Sequence, residues 1–168
     1  MPLGIPKVRY RRFFEDKPTW IGIYERLYIE RALFLCKEIK KLFTNRFIAL
    51  LLQLDSETDV YDDTDAYTDI SIYINSTGGG AEAAISIYDT MKYIVPDVCT
   101  IAMGATASVA SLILAGGTIT KRVALPHARI CITQPRSTPT ITNTNIDSLI
   151  IETEDTLKLR NTIADIYA

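Results

Sequence analysis

The chain is predicted to fold as a single α/β domain with a mainly parallel sheet and flanking helices. Three observations lead there. Its 168 residues, 48% hydrophobic and 23% charged, suit one compact core. Segments in which apolar residues recur every second position alternate with segments in which they recur at helical spacing. Glycine clusters stand where one period gives way to the other.

Composition also narrows the functions to be considered. With 18 Lys and Arg against 20 Asp and Glu, the net charge of -2 offers no overall field for nucleic acid or an anionic membrane. The longest apolar runs, Phe47 to Leu52 and Ile101 to Ala107, fall well short of the roughly 20 residues that a membrane span needs. Cys36, Cys99 and Cys131 are widely spaced, with no CxxC and no Cys/His pair, and are expected to be buried, reduced thiols. No metal or cofactor is expected from these patterns.

Taken in order, residues 1–18 form a basic arm with Lys7, Arg9, Arg11 and Arg12. Neither an apolar stretch nor a small-residue cleavage site follows it, so it does not read as a signal peptide. It is either a docking or pore-lining arm or a solvated tail. Phe43, Phe47, Leu50, Leu51 and Leu54 keep helical spacing and predict a helix with one covered face. Residues 55–69 hold seven acidic residues and no basic one, which predicts a surface loop. That loop lacks the spacing and the closing Glu of a calcium loop.

Ile70, Ile72 and Ile74 then alternate with polar neighbours, a strand stopped by Asn75-Ser76-Thr77-Gly78-Gly79-Gly80. Ala84, Ile87, Tyr88, Met91 and Ile94 predict a helix that ends before Pro96. Val98 to Ala102 reads as a short strand, Gly104 to Ala115 as a small-residue segment closed by Gly116-Gly117, and Ala128 to Thr133 as a further strand. Ile146, Leu149, Ile150, Thr153 and Leu157 mark a long amphipathic helix over residues 146–168.

In such folds, reactive groups gather where strands end and helices begin, because backbone N–H groups there lack partners. Two junctions qualify. Ser76 to Gly80 lets backbone approach a substrate closely and offers N–H donors to a developing oxyanion, although three glycines after a strand are more often a turn. At Gly104 to Ser111 the small neighbours leave Ser108 accessible, as a nucleophile or, more blandly, as a helix cap.

Together the motifs resemble those of the Clp protease proteolytic subunit (ClpP) family. They are Tyr73-Ile-Asn-Ser-Thr-Gly-Gly79, Ile87-Tyr-Asp-Thr-Met91, Met103-Gly-Ala-Thr-Ala-Ser-Val109, Gly116-Gly-Thr-Ile-Thr-Lys-Arg122 and Pro126-His-Ala-Arg-Ile-Cys-Ile-Thr-Gln-Pro135. The start, Met1-Pro-Leu-Gly-Ile-Pro-Lys-Val8, and Tyr24-Glu-Arg-Leu-Tyr-Ile-Glu-Arg31 are similar to the plastid-encoded form. The resemblance implies a crotonase-like α/β fold and two stacked seven-membered rings of Clp subunits. It further implies an ATP-driven unfoldase cap, unfolded polypeptide substrates and the chloroplast stroma. Neither nucleic acid nor membrane is an expected partner.

Position by position, the resemblance puts Ser108 at the nucleophile and the N–H groups of Gly78 and Val109 at the oxyanion hole. The family's general base, a histidine in an Ile-His-Gln-Pro segment, is here Thr133. A threonine does not titrate near neutral pH and cannot serve as that base. His127 lies six residues upstream, roughly 20 Å away along an extended chain, whereas a base must come within about 3 Å. The family's triad aspartate follows the long helix, beyond Ala168, and is expected to be missing together with the segment that carries it.

Thr77 replaces a proline and should loosen its turn. Lys40 and Lys41 stand where an acid would suit a helix start. The long helix is the family's inter-ring element. These features imply a non-catalytic ring subunit, like the family's ClpR-type members. The alternatives are an active serine endopeptidase whose base comes from elsewhere, a crotonase-type acyl-CoA enzyme, for which no CoA-binding segment is apparent, and a degenerate product without a role.

Overall fold

The computed structural model describes residues 4–11, 17–61, 69–136 and 146–168. The element order is β1 (Lys7–Tyr10), β2 (Thr19–Gly22), α1 (Ile23–Ile29), β3 (Ala32–Leu35), α2 (Lys41–Tyr61) and β4 (Ile70–Ser76). There follow α3 (Ala81–Tyr93), β5 (Val98–Ala107), α4 (Val109–Ala115), β6 (Arg122–Ala124), β7 (Arg129–Cys131) and α5 (Ile146–Tyr167). A five-stranded sheet runs β3-β4-β5-β6, with β7 also pairing with β5, and each of these pairings is parallel. This is the α/β architecture that the alternating periods predict.

The period-two reading of β4 corresponds to burial: Ile70, Ile72 and Ile74 are each 0% exposed. They face Leu51 and Leu54 of α2 and Ala84, Ile87 and Met91 of α3 in one continuous core. Each of those Ile, Leu and Met side chains contributes about 1.5–3 kcal/mol by leaving water, which offsets part of the entropy of ordering the chain. Two predicted stripes are trimmed by the structure. Leu50 of α2 is exposed, and in α5 Ile146, Leu149, Ile150 and Leu157 are all exposed, with Ile163 its one buried hydrophobic among the described residues.

Three expectations are corrected. The acidic stretch 55–69 is not a loop from its start, because α2 continues to Tyr61. Asp55 accepts the Val95 N–H at 3.0 Å, and Glu57 accepts from Gln53 one turn earlier, so these carboxylates have partners. Like-charge repulsion at helical spacing amounts to only a few tenths of a kcal/mol and does not end a helix anchored by Leu54. Residues 62–68, and with them most of the question of a calcium loop, lie outside the described residues.

Second, β5 is twice as long as expected. It continues past Gly104 after a register shift in which the Asn75 side chain accepts the Ala105 N–H at 3.1 Å. Third, the cysteines are free but not buried. Cys36 and Cys131 are exposed and Cys99 is half-buried, because they sit at strand ends and on the outer strand β7 rather than in the core. Strand β7 is also shorter than read, since β5 offers it partners only from Ala105 to Ala107.

The described part of the basic arm is one strand of an antiparallel hairpin. Lys7 to Tyr10 pair with Gly22 to Thr19, Arg9 lies over the Trp20 ring at 5.1 Å and Arg26 over the Tyr10 ring at 4.8 Å. No helix among the described residues is long and apolar enough to cross a membrane.

Candidate functional site

Both predicted junctions lie at the C-terminal ends of neighbouring strands, β4 and β5, and the pairing of those strands brings them together. Ser76 stands opposite Thr106, so the glycine turn and the serine turn meet. A Cβ placed on Gly78 would come within 2.8 Å of the Ser108 Cβ and 2.9 Å of the Ala107 carbonyl oxygen. Only glycine fits there, and its φ of 100° also favours glycine.

The glycine turn is held by Ile39 and by Ser76. Ile39 N donates to Gly78 O and Gly80 N to Ile39 O, both at 2.9 Å, which makes a one-residue bridge between Ile39 and Gly79. The buried Ser76 hydroxyl donates to Lys37 O at 2.7 Å and accepts the Gly78 N–H at 3.1 Å. Thr77 therefore does not leave the turn loose. The Gly78 N–H, expected to face an oxyanion, is engaged inside its own turn.

Ser108 is the N-cap of α4, with φ 55° and ψ -133°. A non-glycine residue so placed stores about 1–3 kcal/mol of strain, which persists only where its surroundings fix it. A capping serine normally turns its hydroxyl onto the helix N–H groups. Ser108 makes no such side-chain bond. Its half-buried hydroxyl is thus spared from capping, and the bland reading of this serine loses its main support. Val109, the first residue of α4, is buried and lines the same cleft.

That cleft has a volume of about 1520 Å³. Its walls bring together Ser108, Val109, Thr77, Gly79 and Thr133, while one side of α5, including Glu152 and Asp155, closes it. Thr133 is exposed, on the segment that follows β7. Gly78 lies behind the lining. His127 sits in an exposed turn before β7 and does not line the cleft. Two ion pairs stand among the lining residues, Lys40 with Glu38 at 2.8 Å and Lys158 with Asp155 at 3.1 Å, both exposed and of small energetic consequence. Among the described residues no group of three or more metal-ligating side chains converges.

Sequence reasoning named Ser76 and Ser111 only as the ends of the two junctions and missed Ile39 and Tyr167. The hydroxyl of Ser111 contacts Ser108 O at 2.5 Å and Tyr167 Oη at 2.7 Å. Ser111 had a faint signal, one polar residue inside an apolar helix. Tyr167 had none, being 56 residues away along the chain.

A strained, uncapped serine thus stands at the end of a parallel strand, packed on glycine backbone and lining a cleft of an α/β domain. The chain belongs to the Clp protease family, whose family model, described as "Clp protease", matches residues 15–168. It is 44% identical over 168 residues to the ATP-dependent Clp protease proteolytic subunit of Adiantum capillus-veneris, covering 100% of this chain and 80% of that protein. The subunit of the same name from Marchantia polymorpha is 45% identical over 167 residues, 99% of this chain and 78% of that one. The chloroplastic ATP-dependent Clp protease proteolytic subunit 1 of Arabidopsis thaliana is also 45% identical, over 99% of this chain and 81% of its own length. The fold is that of the ClpP family.

Proposed function

We propose that this chain is a subunit of the proteolytic core of an ATP-dependent Clp protease and that it contributes structure rather than cleavage. Membership of the Clp protease family and relatives named as proteolytic subunits, one of them chloroplastic, support the first part. On this reading it works in the plastid, in stacked rings with other Clp subunits beneath an unfoldase that feeds in unfolded polypeptide.

The observation that carries the second part is Thr133. It lines the same cleft as Ser108, which His127 does not, and the resemblance in sequence assigns it the position of the family's histidine. A serine without a base has a hydroxyl too weak to attack an amide at useful rates. Loss of a general base typically lowers the rate about 10²–10⁴-fold. The reading is tested by assembling the complex with Ser108→Ala in this subunit alone. Hydrolysis of a small fluorogenic peptide is expected to match that of the unaltered complex, with no loss. A loss in proportion to this subunit's share of the ring would contradict it.

One observation favours a second reading, an active endopeptidase with a base supplied from elsewhere: Ser108 keeps a strained, uncapped geometry that a purely structural serine has no need of. The same experiment decides between the two.

A further inference from the structure

Helix α4 is apolar over Val109–Ala115 apart from Ser111, which is 3% exposed. A hydroxyl so buried has to find its partners inside the protein. Its oxygen lies 2.5 Å from Ser108 O, 3.4 Å from Cys131 O and 2.7 Å from Tyr167 Oη. It has one proton, and carbonyls only accept, so that proton goes to the nearer carbonyl, Ser108 O. The Tyr167 phenol must then be the donor into Ser111. Burial pushes the Tyr167 phenol above its ordinary pKa, against a smaller opposite effect of the Ser111 contact. The proton it needs for this role is therefore retained.

The target of this chain of hydroxyls is the peptide between Ser108 and Val109. Ser108 O accepts from Ser111 N at 3.0 Å as well as from the Ser111 hydroxyl, and Ser108 N donates to Cys131 O at 2.8 Å. A trans peptide is planar, with C=O and N–H pointing opposite ways. Holding Ser108 O toward Ser111 turns the Val109 N–H the opposite way, and Val109 lines the cleft. The same bonds oppose the return of Ser108 to a relaxed backbone conformation. The far end of the chain of hydroxyls stands on the last turn of α5, the helix that closes the cleft and carries most of its apolar residues outward.

We infer that Ser111 and Tyr167 form a hydroxyl relay that positions the Ser108–Val109 peptide and ties the serine turn to the seating of the last turn of α5. Ser111 and Tyr167 are positioning residues: they act on the site only through the backbone of Ser108. The relay goes beyond the proposed function and operates whether or not Ser108 turns over substrate, so the two fail separately. A displacement of α5 breaks the bond from Tyr167 and is felt at the serine turn.

The test is amide hydrogen exchange at single-residue resolution on the full chain. Tyr167→Phe keeps the ring and removes one hydroxyl. Ser111→Ala removes the middle of the relay. Each is expected to speed exchange of the residue 111 amide about fivefold, with the Ser108 amide, bonded to Cys131, within twofold of the unaltered chain. The double variant should match Ser111→Ala alone, because the two hydroxyls act as one unit. Ser111→Thr, which restores a hydroxyl, should bring exchange back to within twofold. Unchanged exchange in Tyr167→Phe, effects that simply add in the double variant, or failure of threonine to rescue would overturn the relay. Should Ser111→Ala not fold, Tyr167→Phe with its half-buried ring still decides the matter.

Discussion

The cleft has two unlike walls. One is built from backbone: the turn after β4 is bonded to Ile39 and the turn after β5 to Cys131 through the main chain, their strands pair at Ser76 and Thr106, and two glycines at positive φ and the strained Ser108 shape them. The other is built from side chains on an exposed segment, Thr133 and its neighbours, and from one side of α5. The difference teaches where function is easily lost. A site held by backbone changes only with the fold, whereas a group on an exposed side chain is exchanged at little energetic consequence. On the proposed reading, this chain keeps the first wall and has given up the base on the second.

The comparison breaks most directly at Gly79. A Cβ there would run into the backbone of Ile39, its nitrogen and carbonyl carbon at 2.8 Å and its oxygen nearer still. Gly79→Ala is expected to lose more than about 3 kcal/mol in chemical denaturation, if it folds at all. Near-native stability would show that the glycine wall is looser than described. Next in size, Ile74→Ala empties a fully buried position on β4 beside the same turn and should lower stability by about 2–5 kcal/mol in the same measurement.

On the opposite wall, Thr133→His should leave stability within about 0.5 kcal/mol, because the position is exposed. The same substitution should raise the rate at which a fluorophosphonate modifies Ser108 by about 100-fold, the low end of what a general base supplies. A stability loss as large as that of Ile74→Ala would erase the distinction between the walls.

The smallest effect belongs to a control at the far end of the strands. Lys121 bridges Asp69 at 2.7 Å and Asp97 at 2.8 Å, away from the cleft. The hydrogen bond from Lys121 holds the Asp97 carboxyl below its ordinary range, and those to Asp69 and then Asp97 raise the Lys121 ammonium. The Asp97 contribution is present above the ordinary carboxylate pKa and is lost as pH falls through its lowered value. That of Lys121 is present below the ordinary ammonium pKa and is lost as pH rises past its raised value. The thermal midpoint of Lys121→Met should therefore fall slightly short of the unaltered chain between about pH 4 and 10 and converge with it outside that window.

The sequence showed most of what period and glycine can reveal. Ile70, Ile72 and Ile74 announce β4, the Ala84 to Met91 stripe announces α3, and glycines mark both junctions. Strands β1, β2, β3 and β6 are three or four residues long, too short for a period to develop, and the hairpin is drawn together by pairing rather than by pattern. The acidic stretch misled because charge was weighed without its partners, Val95 N–H and Gln53. At the site, Ser108, Val109 and Thr133 line one cleft. The bond from Gly78 N–H to Ser76 and the reach of Tyr167 to Ser111 depend on tertiary proximity that no local pattern encodes.

On the proposed reading Ser108 has no base, and labelling of the assembled complex with a fluorophosphonate serine probe tests that most directly, with Ser108→Ala as the control. Ser108 is expected to stay unlabelled while a histidine-containing paralogue in the same ring reacts. Labelling of Ser108 at a rate near the paralogue's would contradict the account and require another residue to serve as its base.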